Sequence, residues 1–176
     1  MALTPATNRQ VPDHSIMDYY EKQNYLGNQF IYTSSVTPGV TTELPILLLQ
    51  NPTVVGSGFP SGYKALFVNT RKVSSTTASA TAILRYYLSP TFSVAGATQT
   101  PLNLRPASPN TSQAVLSTLP TVSANGKLVF FLSSSSFVSD SDGKFVIVDP
   151  GQTLLVTAQS SSGSGTLLSS LGWFEQ

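Results

Sequence analysis

Alternation of apolar and polar side chains with a period of two is the feature that most restricts the fold of this chain. In residues 78–89, every second position from Ala80 onward is Ala, Leu or Tyr, whereas Thr81 and Arg85 fall on the opposite face. The same alternation recurs in residues 153–158. A period of two is typical of a half-buried β-strand, because successive side chains of an extended chain point to opposite faces. The sequence therefore predicts antiparallel sheets that bury one face.

Extended segments of this kind follow one another from residue 29 onward, with no helical pattern between them. The candidate strands are residues 29–36, 41–50, 63–73, 78–89, 98–104, 113–119, 127–133, 144–148, 153–159 and 166–174. Asn125-Gly126 predicts a hairpin between the segments that flank it, and Pro150-Gly151 predicts a type II turn. Residues 106–110 predict a rigid crossover of the kind that a Greek-key connection needs. Many short strands separated by turns indicate one all-β domain over residues 29–176, an antiparallel β-sandwich of the jelly-roll type.

Residues 1–28 differ from the rest and are interpreted as an extended N-terminal arm. Pro5 and Pro12 discourage an early helix. Tyr19, Tyr20 and Tyr25 then stand among charged residues. Aromatic side chains are common anchors at interfaces, so these tyrosines are the predicted contact residues, on this domain or on a neighbouring subunit. A disordered terminus is the alternative interpretation.

The composition leaves little material for catalysis. Charged residues make up 10% of the chain, against about 25% in typical domains. There is no Cys, and the single His, His14, lies in the arm. The sequence therefore predicts a protein that is not an enzyme, with no catalytic residues, no cofactor and no metal. Asp140 and Asp142 precede Gly143 as in the start of a calcium loop, but the downstream Glu is missing, so a turn is preferred over a weak cation site.

Charge and hydropathy also limit the partners. The formal net charge is +1, which creates no general attraction for nucleic acid or for an anionic membrane. The apolar run of residues 46–49, with Leu44 just before it, is too short to cross a bilayer. Residues 1–10 lack the apolar core of a secretory signal. We therefore expect neither nucleic acid nor membrane as a partner, and synthesis in a cytoplasm.

The order of several motifs resembles that of a known class of viral proteins. The motifs are the turn and apolar strand of residues 37–52, the Arg-Tyr-Tyr-Leu strand of residues 80–90, the segment 100–104, the segment 147–156 and the terminal residues 172–175. In this order they are similar to jelly-roll virion proteins of tailed bacteriophages, especially the capsid decoration or cement class. The resemblance covers roughly residues 36–176 and leaves the arm out.

The resemblance implies a structural function without chemistry. A protein of this class binds the outside of the phage capsid, has the major capsid protein as its partner, and stabilises the shell as a homo-oligomer, either a trimer or a dimer. It is made in the host cytoplasm and ends on the virion surface. Two alternatives remain open: a neck, tail or baseplate component, and a glycan- or receptor-binding module that uses the loop rings Phe59, Phe92 and Phe137.

Overall fold

The structure, a computed structural model, describes residues 26–38, 42–52, 64–75, 81–134, 138–140, 145–161 and 165–176. Within these ranges the chain forms fourteen strands. In chain order they are β1 (Gln29–Val36), β2 (Leu44–Gln50), β3 (Leu66–Ser75), β4 (Ala82–Leu88), β5 (Thr91–Val94), β6 (Ala97–Gln99), β7 (Leu102–Asn103), β8 (Val115–Thr118), β9 (Thr121–Ala124), β10 (Lys127–Ser134), β11 (Val138–Asp140), β12 (Val146–Val148), β13 (Thr153–Ser160) and β14 (Leu167–Glu175).

The strands form two six-stranded sheets and one short ribbon. Sheet I has the order β11-β3-β14-β1-β7, with β12 also paired to β3, and sheet II has the order β10-β4-β13-β2-β8-β6. The β5–β9 ribbon is separate. All of these pairs are antiparallel. The prediction of an all-β, antiparallel two-sheet protein is therefore confirmed.

The hydrophobic core is built from the inward faces of both sheets, as the period of two requires. In β4, Ala82, Leu84 and Tyr86 are buried, while Arg85 and Tyr87 on the other face are half-buried. Trp173 is fully buried, with its ring 6.2 Å from that of Phe30. The buried side chains of the core are Phe30, Ile46, Leu47, Leu49, Leu66, Val68, Val73, Ala82, Leu84, Tyr86, Ala114, Leu116, Leu132, Val146, Val148, Leu154, Val156, Ala158, Leu167, Leu171 and Trp173.

The predicted turn at Pro150-Gly151 is present. The Gln152 N–H donates to the Asp149 carbonyl oxygen at 2.9 Å, and Gly151 has a φ of 82°. A positive φ at the third turn position with Pro at the second defines a type II turn. The crossover predicted at residues 106–110 is also found, because it connects β7 of sheet I to β8 of sheet II.

The predicted hairpin at Asn125-Gly126 is wrong. Its first segment, β9, pairs with β5, and its second, β10, pairs with β4. Leu88 at the end of β4 lies opposite Lys127 of β10, and Thr91 at the start of β5 lies opposite Ala124 of β9. The two strand pairs therefore form one long antiparallel ribbon, which is bent between them. Gly126, with a φ of 88°, lies against the backbone of Leu88 at the bend. The glycine of an Asn-Gly pair can supply the positive φ of such a bend as readily as that of a hairpin.

The segment predicted as one strand over residues 98–104 is two strands. β6 belongs to sheet II and β7 belongs to sheet I, with Thr100 and Pro101 between them. Proline has no N–H to donate to a ladder, so the strand ends there and the chain passes from one sheet to the other.

Candidate interaction surfaces

The outer face of sheet I is apolar at one end and polar at the other. Phe67 on β3 lies between Phe174 on β14 and Ile147 on β12 in the same register row. Further along the sheet, the outward positions are Thr33 and Ser170, whose hydroxyl oxygens are 2.9 Å apart. The solvated face of an antiparallel sheet is ordinarily polar. The apolar end is therefore a candidate contact surface, and we call Phe67, Phe145, Ile147 and Phe174 the phenylalanine patch.

Three rings hold the phenylalanine patch together. Phe67 and Phe174 stack with their centroids 4.9 Å apart and their planes 2° apart. Phe145 meets both of them edge-on, at 5.9 Å from Phe67 and 5.5 Å from Phe174. Offset-stacked and edge-to-face pairs each contribute about 0.5–1.5 kcal/mol beyond area burial. Phe174 is fully buried in this arrangement, whereas Phe145 and Ile147 remain exposed to solvent.

Further apolar side chains lie on the same sheet face between the phenylalanine patch and the edge strand β7. Ile31 on β1 pairs in register with Gly172 on one side and with Leu102 on the other. Leu102 is 65% exposed, one of the largest values among the described apolar residues. Leu102 therefore adds an exposed apolar side chain at the edge of the face that carries the phenylalanine patch.

The chain enters the sandwich through a clamp beside this surface. The side-chain amide of Asn103 donates to the Gly27 carbonyl oxygen at 2.9 Å, and that of Asn110 donates to the Leu26 and Gly27 carbonyl oxygens at 3.2 and 3.3 Å. Gly27 has a φ of 71°, and a Cβ there would overlap the Ser108 side chain. The direction in which residues 26–28 leave the β-sandwich is therefore fixed by the loop after β7.

A buried carboxylate anchors the same loop at its other end. Glu175 accepts hydrogen bonds from the Ser112 hydroxyl at 2.5 Å and from the Gln113 N–H at 3.0 Å. The Trp173 indole N–H lies 3.4 Å from the same carboxylate. The Asn51 side chain adds a bond at the same end of the sandwich, where its amide donates to the Val148 carbonyl oxygen at 2.8 Å. These bonds hold β14, and with it the phenylalanine patch, in a fixed position.

The outer face of sheet II holds a second polar cluster. The Thr157 hydroxyl donates to Glu43 Oε1, and Arg85 Nη1 lies 3.8 Å from Glu43 Oε2. The same Arg85 nitrogen donates to Gln159 Oε1 at 2.9 Å. Partial burial and the hydrogen bond with the Glu43 carboxylate raise the pKa of Tyr87 above its usual value.

A cavity of about 240 Å³ opens between β1, the β6–β7 connection and the loop after β7. Phe30 and several amide and hydroxyl side chains line it. Gln99 already accepts a bond from the Tyr32 hydroxyl at 3.1 Å and donates to Thr118 Oγ1 at 3.2 Å. Asn103 and Asn110 are engaged in the clamp described above. Because these amides bond within the fold, the cavity is a structural feature and does not favour a ligand.

The residues proposed from the sequence are placed only in part. Tyr19, Tyr20 and Tyr25, the predicted contact residues, lie outside the described residues, as do His14 and Asp142. Within the described ranges, no group of three or more His, Cys, Asp or Glu side chains comes together as a metal site requires. The described part of the chain also contains no helix with the length and apolar character needed to cross a membrane.

Sequence reasoning missed the phenylalanine patch, although one signal for it was present. Residues 145–148 read Phe-Val-Ile-Val without interruption. In a strand, such a run places apolar side chains on both faces, and the outward pair, Phe145 and Ile147, is the half of the patch that this segment supplies.

Comparison with known proteins gives no relative. No family model matches the sequence, and no curated protein or solved structure matches the chain.

Proposed function

We propose that this protein is a non-enzymatic structural protein of a phage virion, a jelly-roll decoration protein that binds the outside of the capsid as a homo-oligomer. The major capsid protein is the proposed partner, and the capsid surface is the proposed location. Residues 1–28 are proposed as an arm that adds contacts to the shell or to a neighbouring copy. The sequence resemblance suggests the class, and two features of the fold support it.

The first supporting feature is the strand order. β1 pairs with β14, β2 with β13, β3 with β11 and β12, and β4 with β10. Within each of the first three pairs the strand from the beginning of the chain meets one from its end, and successive pairs alternate between sheet I and sheet II. This order supports the jelly-roll part of the proposal, because a jelly roll is a long antiparallel ribbon of eight strands rolled into two Greek keys. The β5–β9 ribbon is then an extension of its β4–β10 end.

The second feature, which carries the docking part of the proposal, is the phenylalanine patch. Phe145 and Ile147 are exposed on a rigid sheet face whose other half is polar. A preformed apolar surface can bind a shell by burying apolar area. Because few charged groups would lose contact with water, the desolvation cost of binding stays low. The clamp at Leu26 and Gly27 starts the proposed arm from the edge of the same sheet.

Copy number per particle tests the proposal. Virions are purified from a lysate in which the chain is produced, and its amount relative to the major capsid protein is measured by quantitative mass spectrometry. A number comparable to that of the capsid protein supports decoration. A small fraction of it would move the protein to the neck, tail or baseplate, and absence from particles would contradict a virion role.

A pair of matched variants tests the docking surface. Ile147→Asp places a charge in the phenylalanine patch at a position that is 44% exposed, and Leu168→Asp does the same at a 41% exposed position in the polar half of the same sheet face. We expect Ile147→Asp to weaken binding to particles that lack the protein by about tenfold or more. Leu168→Asp should bind as the unchanged protein does. Equal loss of particle binding in both variants would assign the contact to another surface.

A further inference from the structure

The most open edge of the described sandwich is β10, which ends sheet II. Within the described residues its only ladder partner is β4, and it is eight residues long. The other edge strands have three residues in β6, β11 and β12 and two in β7. Short edge strands protect a sheet from pairing with other chains, because few backbone N–H and C=O groups remain unpaired. β10 lacks that protection.

Only the first part of β10 carries features that discourage pairing. Lys127 begins the strand, and the register shifts between Leu128 and Phe130. Charged residues and bulges both keep an edge from adding a strand. Residues 130–134 follow with a regular register to β4 and without a charge. This half of the strand also exposes Phe131, which is 62% accessible to solvent.

The regular half of β10 is held in shape from inside the protein. The Phe130 ring packs edge-on against Tyr86 at 5.7 Å, and the Arg71 guanidinium lies 4.0 Å from its centroid. Leu132 is buried in the core. Because these inward side chains fix the strand, its outer edge is preorganised, and preorganisation lowers the cost of binding.

We infer that two copies of this chain pair through residues 130–134 of β10, antiparallel and about a two-fold axis at Leu132. In that register Phe131 of each copy lies opposite Ser133 of the other. The two Phe131 residues are diagonal neighbours with a separation of about 7–8 Å, within reach of aromatic side chains. The Lys127 side chains fall outside the paired stretch, so no like charges face each other. A two-fold interface needs such a self-complementary surface, and a second copy meets that requirement with residues already on the strand.

This inference specifies the homo-oligomer of the proposed function as a dimer and names its surface. It does not depend on the capsid as partner. The size of the protein in solution therefore tests it separately from copy number in virions.

Light scattering after size exclusion, over a dilution series, provides the first test. We expect a dimer for the unchanged chain, and a dissociation constant raised about 30-fold or more by Phe131→Lys. Val94→Lys, at a 58% exposed position on β5, is the control and should leave the dimer intact. A monomer at all concentrations would overturn the inference and the oligomer part of the proposed function. A trimer would overturn the inference alone, because two edge strands join only two copies.

Disulfide trapping tests the register without relying on a destabilised variant. The chain has no Cys, so introduced thiols react without background. Copies with Phe131→Cys are mixed with differently tagged copies with Ser133→Cys and oxidised. We expect the mixed disulfide to form faster than in the control mixture of Phe131→Cys with Ser123→Cys, whose second site is exposed on β9. Equal rates, or a dimer unaffected by Phe131→Lys, would place the interface elsewhere and overturn the inference.

Discussion

Arg71 and Phe130 meet across the interior of the sandwich, with the guanidinium carbon 4.0 Å from the centroid of the ring. Arg71 comes from β3 of sheet I and is 1% exposed, and Phe130 comes from β10 of sheet II. A desolvated cation over an aromatic face is stabilised by about 2 kcal/mol or more. The contact therefore links the two sheets beside the edge strand through which we infer pairing.

A double-mutant cycle measures this contact. We expect Arg71→Met and Phe130→Leu to be coupled by about 2 kcal/mol in the free energy of unfolding, because each change removes the same cation–ring attraction. Urea denaturation of the four proteins gives the value. The Phe130→Leu change should therefore cost more stability in the unchanged protein than in the Arg71→Met variant. Additive effects of the two changes would show that the ring does not stabilise the buried cation.

The carboxylate of Glu175 should stabilise the end of the sandwich at which β14 meets the loop after β7. Glu175→Gln keeps the size of the side chain but removes the charge that accepts bonds from Ser112 and Gln113. We expect a loss of about 1.5–3 kcal/mol in unfolding free energy, the range for hydrogen bonds to charged groups. The fluorescence of Trp173, the single Trp, reports the same region directly. Asp149→Asn, on an exposed turn, is the control and should change stability by no more than about 0.5 kcal/mol.

Replacement of Gly27 at the clamp should lower the free energy of unfolding. Gly27→Ala introduces a Cβ at a φ of 71° and against Ser108, so we expect a loss of at least about 1–2 kcal/mol from the backbone alone. The double variant with Ser108→Gly should recover the part due to overlap and leave the backbone part. Chemical denaturation measures both. No recovery in the double variant would show that the Ser108 contact does not matter.

Tyr87 should make stability fall at alkaline pH. Its pKa is raised in the folded state, so the folded protein holds the phenolic proton more tightly than the unfolded chain does. The stabilising contribution is complete below the unfolded pKa of about 10 and is lost as pH rises through the folded pKa. We expect the fall in unfolding free energy above about pH 10 to be shallower in Tyr87→Phe than in the unchanged protein. Parallel curves for the two proteins would contradict the shift.

The sequence predicted the strands better than their partners. The alternation in β4 and β13 identified which side chains face the core, because a strand with one buried face must repeat every second residue. The phenylalanine patch was not predicted, since Phe67, Phe145 and Phe174 come from separate segments that only the register of sheet I brings together. Asn125-Gly126 was misread for a similar reason. The local turn signal is real, but a long ladder with β4 determines the partner of β10.

Sheet I also has a consequence for synthesis. Its central strand β14 lies between β1 and β3, and it follows every other described strand in the chain. While β14 is still inside the ribosome, β1 and β3 have no neighbour between them, although the β4–β10 pair of sheet II is already free to form. Contacts between distant parts of a chain form slowly, and open edges invite aggregation meanwhile. Closure of this sandwich is thus timed by the emergence of its last strand, and chaperone binding is most useful in that interval.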